Sequence, residues 1–146
     1  METFLALLII LLLIALWWRF WPDDRDRWHV DPADDEEARR SEVRLIGLDA
    51  PRFPCDAETV LATMTEIAGR EPRAKLLDGS IEEGMMTYVV RSRFGFRDYV
   101  TLKAVDEVGA SKLSVWSRPR INGPDWGANA SRMDHWLQQA EHALAG

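Results

Sequence analysis

The chain has 146 residues, 47 % of them hydrophobic, which suits one packed domain and argues against a disordered chain, a collagen or a coiled coil. A net charge of −6 and a pI near 5.1 argue against a nucleic-acid partner. A single cysteine excludes an intramolecular disulfide and a Cys-rich zinc site.

Residues 4–18 carry no charge. Extended through Trp21, the run gives a helix over 4–21, eighteen residues and about 27 Å long, close to the thickness of a bilayer core. Trp17, Trp18, Phe20 and Trp21 cluster at one end, where aromatic rings prefer the headgroup level, and Arg19 can snorkel beside them. Glu2 is the only charged side chain ahead of the run, and WWRFWP is a poor cleavage site, so residues 1–21 read as an uncleaved single-pass anchor in a bacterial inner membrane. Arg19, Arg25 and Arg27 follow the run and no Lys or Arg precedes it; that count puts the domain on the cytoplasmic side.

Residues 22–41 alternate acids and bases and read as a charged juxtamembrane linker, with a docked turn at 28–32 as an option. The domain proper spans 42–146. A short strand is expected over 42–48, a helix over 56–69 capped by Asp56, and a short strand over 74–77 ahead of an Asp78-Gly79 turn. Strands over 85–93, 98–105 and 112–117, joined by connections at 94–97 and 107–110, make an antiparallel meander. A last helix over 129–144 puts Met133, Trp136, Leu137 and Ala140 on one face. The sum is an α+β two-layer sandwich, a four- to five-stranded antiparallel sheet packed by two helices.

No GxSxG, GxxxxGK[ST] or GxGxxG signature is present, so no cofactor is expected. The three histidines have no HxxxH spacing, and a metal held by His29 with His135 or His142 is the lesser reading beside solvated or hydrogen-bonded rings. Cys55 reads as a small buried residue rather than a nucleophile. One polar feature is not generic. Arg91 and Arg93 stand two apart at one strand end, Arg118 and Arg120 at another, with Asp98 after the first pair and Asp125, Asn129 and Arg132 after the second. Converging at one end of the sheet, Arg91, Arg93, Arg118, Arg120 and Arg132 form a candidate anion site, supported by Asp98, Asp125 and Asn129, because the guanidinium fork matches phosphate or carboxylate. The structural alternative has Arg91, Arg93, Arg118 and Arg120 pairing with Asp98 and Asp125 to brace the hairpins and the final loop.

Five segments together resemble the bacterial and plastid family catalogued as domain of unknown function 1499. They are Trp28-His29-Val30-Asp31-Pro32, Tyr88-Val89-Val90-Arg91-Ser92-Arg93, Gly95-Phe96-Arg97-Asp98-Tyr99-Val100, Ser117-Arg118-Pro119-Arg120 and Asp125-Trp126-Gly127-Ala128-Asn129 through Arg132. Members look like YVxRSRxxGFPDY, then SRSRxGxSDLGxNRxR, then a helix with W; the likeness spans roughly residues 28–144. This chain departs from the pattern at Arg97, where the family has Pro, at Pro119 in place of Ser, in the loop 121–124 and at Ser131. The family has no established activity. Its leading hydrophobic segments imply a periplasmic domain, opposite to the Lys and Arg count.

Three function classes follow. The first is a membrane-anchored module binding an anionic lipid headgroup or small anionic ligand through the arginines. The second is an assembly partner of an envelope protein complex, presenting loop aromatics such as Phe94, Phe96 and Trp126. The third is an enzyme using Asp98 or Asp125 as general acid or base, disfavoured because carboxylates bound by Arg stay ionised.

Overall fold

A computed structural model describes residues 1–34 and 36–145. Helix α1 (Glu2–Phe20) is a nineteen-residue apolar rod with no buried residue, long and apolar enough to cross a membrane. A short helix, α2 (Arg25–Trp28), follows, capped by the Asp24 side chain. Strands β1 (Val43–Leu45) and β2 (Arg52–Phe53) come next, then α3 (Ala57–Gly69). Four longer strands make the meander: β3 (Ala74–Ser80), β4 (Met85–Arg91), β5 (Arg97–Glu107) and β6 (Ala110–Pro119). Helix α4 (Ala128–Leu144) closes the chain.

The expected α+β architecture is present. One antiparallel sheet runs β1-β6-β5-β4-β3, and β2 pairs the same edge of β6 as β1. Helices α3 and α4 cover one face. Asp56 caps α3, its carboxylate accepting from the Thr59 amide at 2.7 Å, and Val60, Leu61, Met64 and Ile67 recur at helical spacing along the buried stripe. Met133, Trp136 and Ala140 do the same for α4. They meet Met86, Tyr88, Val90, Val100, Leu102, Leu113 and Val115 from alternate strand positions.

Three local expectations are corrected. The strand expected over 42–48 pairs only at Val43–Leu45, and the chain then turns away before Pro51. The strand expected to end at Arg93 ends at Arg91, because Ser92 and Gly95 close a turn through Gly95 N–H to Ser92 O. Asp78-Gly79 is not the hairpin turn. It lies inside β3, where the register slips between Leu76 and Asp78, and the turn falls at 81–84. Gly79 has φ +91°, and a Cβ there would lie 2.1 Å from the Met85 carbonyl, so only glycine fits.

Within the segment read as a linker, 22–41, Asp23, Trp28, His29 and Asp31 pack against the sheet face opposite the helices. Trp28 is buried and stacks on Tyr99, the ring centroids 3.9 Å apart and the planes 7° from parallel, with Val89 completing the cluster. His29 bonds Thr87 at 2.8 Å and Glu83 at 2.9 Å, and Lys103 pairs with Asp31. The alternating charges hid this role: Asp23, His29 and Asp31 have partners on the sheet, and buried Trp28 and Pro32 supply the apolar weight.

Candidate functional site

Strand alternation decides which polar groups meet. Odd-numbered residues of β5 and even-numbered residues of β6 face the amino-terminal segment; their neighbours face the helices. The eight residues of the expected anion site therefore reach one end of the sheet but separate onto two faces.

On the helix face, Asn129 is the hub. It accepts from the Ser117 hydroxyl at 2.5 Å and from Arg132 Nη1 at 3.1 Å, and it donates to Asp125 at 2.9 Å. Arg132 Nη2 pairs with Asp98 at 3.0 Å. Asp125 also accepts from the backbone N–H groups of Gly127 and Asn129, satisfying the start of α4. Burial raises the Asp98 carboxyl above its ordinary value despite Arg132. Burial pushes Asp125 the same way, but the Asn129 and Gly127 hydrogen bonds and the Ser41 hydroxyl outweigh it and hold the carboxyl low. Arg132, Asp98, Asp125 and Asn129 thus brace α4 against β5 and β6.

On the opposite face Arg118 is fully buried between two indoles, its guanidinium carbon 3.7 Å from the Trp116 ring centroid and 5.3 Å from that of Trp28. Arg44 covers the far side of Trp116 at 4.1 Å. Arg118 donates to the Trp28 carbonyl at 2.7 Å; among the described residues it forms no ion pair and its Nε has no partner. Burial lowers its pKa to about 10. A cation enclosed this way is a rivet between Trp28 and β6, not a ligand group, which corrects the sequence-based site at Arg118.

Arg120 belongs to another cluster. Asp23 accepts from Arg97 at 2.9 Å, from the Tyr99 hydroxyl at 2.5 Å and from Arg120 at 3.5 Å. Buried Arg97 also donates to the carbonyls of Arg19, at 2.5 Å, and Trp21. These are carbonyls of the last turn of α1 and of the residue that caps it, positions that have no partner within a helix. Burial and the Asp23 carboxylate push the Tyr99 phenol up to about 12. Arg97 and Arg120 therefore pair with Asp23, a carboxylate from the segment read as a linker, and not with Asp98 or Asp125.

Arg91 and Arg93 stay open. They line a groove of about 450 Å³ with Arg19, Arg25, Arg73 and Lys75, and Asp23 is the one acid on its wall. None of the six cations forms an ion pair among the described residues. Arg73 is held at the edge by a hydrogen bond from Nε to the Arg91 carbonyl at 3.0 Å. Of the sequence-predicted set, Arg91 and Arg93 alone belong here. Arg73 immediately precedes β3 and Lys75 lies on it, Arg91 ends β4 with Arg93 two residues on, and β3 pairs β4; that repeated spacing was the available signal. Arg19 and Arg25 were visible only as a topology count.

Among the described residues no three His, Cys, Asp or Glu side chains gather where they could hold a metal ion. No family model, curated protein or solved structure matches the chain.

Proposed function

We propose that the chain is a single-pass membrane protein whose domain binds a phosphate-bearing anion at the bilayer surface, through Arg19, Arg25, Arg73, Lys75, Arg91 and Arg93. The observation that carries this reading is the groove itself. Six cations surround one cavity without ion pairs among the described residues, in a chain of net charge −6. Like charges held this close repel, and an anion between them relieves the repulsion. Arginine forks suit phosphate, and a groove beside the last turn of α1 lies where lipid headgroups would stand. The likeness to domain of unknown function 1499 supports kinship with that family, and with it a periplasmic domain on a bacterial inner membrane. Alkaline phosphatase and green fluorescent reporters fused to the carboxyl terminus test the side: phosphatase activity without fluorescence is the expected result.

The binding test uses the full chain in zwitterionic detergent, titrated with short-chain phosphatidylglycerol and, separately, with inorganic phosphate. Each charge-assisted contact is worth about 1.5–3 kcal/mol, so Arg91→Ala with Arg93→Ala should weaken binding by roughly 100-fold or more. The unfolding midpoint should not move, because neither side chain supports the fold. Tight binding of phosphatidylglycerol alone identifies a lipid headgroup, and equal binding of phosphate identifies a free anion. Wild-type affinity in the double variant would overturn the assignment.

A further inference from the structure

The other half of the same sheet end is apolar. The loop between β4 and β5 exposes Phe94 and Phe96, and the loop between β6 and α4 exposes Ile121 and Trp126; Phe94 is 88 % and Trp126 96 % accessible. These four line one cleft of about 420 Å³ together with Trp18 of α1. Trp18 lies in the aromatic end of the apolar helix, among exposed Trp17, Phe20 and Trp21. Sharing a cleft with Trp18 puts the loop aromatics level with the last turns of α1. Arg97 holds that level by binding the Arg19 and Trp21 carbonyls at the start of β5, between the two loops.

Trp126 adds an independent sign. It has φ +57°, a left-handed conformation that a bulky residue rarely adopts, and its ring is turned into solvent. A tryptophan in a strained conformation and left in water gains nothing from the domain itself. Its amphipathic ring is suited to the headgroup boundary of a bilayer.

We infer that Phe94, Phe96, Ile121 and Trp126 form a rim that enters the interfacial layer of the membrane spanned by α1, so that the domain sits flush on the bilayer. The occupant of the rim is the lipid surface. This inference rests on the reading of α1 as an anchor, and it is independent of what fills the cationic groove. Seating the rim brings the groove's mouth to headgroup level, because Ser92 and Gly95 line both the groove and the cleft.

The test is nitroxide accessibility on the full chain in phospholipid vesicles. Cys55, the only cysteine, is replaced by serine, and single labels are introduced through Phe94→Cys, Trp126→Cys, Val108→Cys and Leu12→Cys. Val108 is as exposed as Phe94 but lies at the far end of β5, on the order of 30 Å away along the strand. Labels at 94 and 126 should lose access to an aqueous nickel relaxant and gain access to oxygen, while the label at 108 keeps full aqueous access. Aqueous access at 94 and 126 equal to that at 108, with the label at 12 in the bilayer centre, would overturn the rim and leave the anchor standing. Aqueous access at 12 would overturn the anchor and the rim with it. Spin–spin broadening at 94 or 126, with aqueous access retained and removed by dilution with unlabelled chain, would refute lipid seating in favour of self-association.

Discussion

Replacing Arg97 by alanine should uncouple the apolar helix from the domain. The guanidinium is 4 % exposed and serves three acceptors: the Asp23 carboxylate and the carbonyls of Arg19 and Trp21. Removing one partner of a buried ion pair costs about 3–5 kcal/mol, because the other charge is left unpaired. Asp23 keeps the Tyr99 hydroxyl and Arg120, so the low end applies, about 3 kcal/mol. The freed helix carbonyls add a few tenths of a kcal/mol or more through the lost favourable charge at the helix end. A change of about 3 kcal/mol is roughly two decades in the ratio of docked to undocked helix. Pulsed electron resonance between labels at Leu12 and Val108 of the full chain in nanodiscs should give one narrow distance distribution for the native chain. The Arg97→Ala chain should give a broad distribution and a lower unfolding midpoint in denaturant. Arg97→Lys, which keeps the charge but not the fork, should fall between them. An Arg97→Ala chain with the native distance distribution and midpoint would refute the clamp.

Two further outcomes follow from the same face of the sheet. Trp28→Ala removes a buried ring that stacks on Tyr99 and roofs Arg118, and should cost about 3–5 kcal/mol in chemical denaturation; a loss typical of a surface substitution would mean that residues 22–41 are a tether after all. The Tyr99 phenol, pushed up to about 12 by burial and Asp23, lies above its ordinary value near 10. Its contribution to stability is therefore complete below about pH 10 and lost as the pH rises through about 12. Denaturation midpoints of the native chain should fall relative to those of Tyr99→Phe across that window, and parallel curves would contradict the assignment.

What could be read from the sequence followed from local patterns. The uncharged run of α1, the period-two alternation of β4, β5 and β6 and the helical stripes of α3 and α4 each specify an element by its own residues, and together they specify an α+β sheet packed by two helices. Arg91 and Arg93 were legible as a pair from their spacing, although only Arg91 lies on β4 and the turn that begins at Ser92 carries Arg93 to the same groove.

The rest depended on pairing between distant segments. A β-bulge at Leu76 and Asp78 moved a turn that dipeptide chemistry alone puts at Asp78-Gly79. Asp98 and Arg120 are near each other at one sheet end, yet alternation sends Asp98 to Arg132 and Arg120 to Asp23. Residues 22–41 have too few apolar side chains to announce a packed segment. Their place comes from Trp28, from ion pairs with strand residues more than seventy positions away, such as Arg97 with Asp23, and from a buried Arg118 that bonds the Trp28 carbonyl. Composition and periodicity report what one segment prefers; which charges become partners, and which six line one groove, is set only when the strands are in register and the end of α1 is fixed to them.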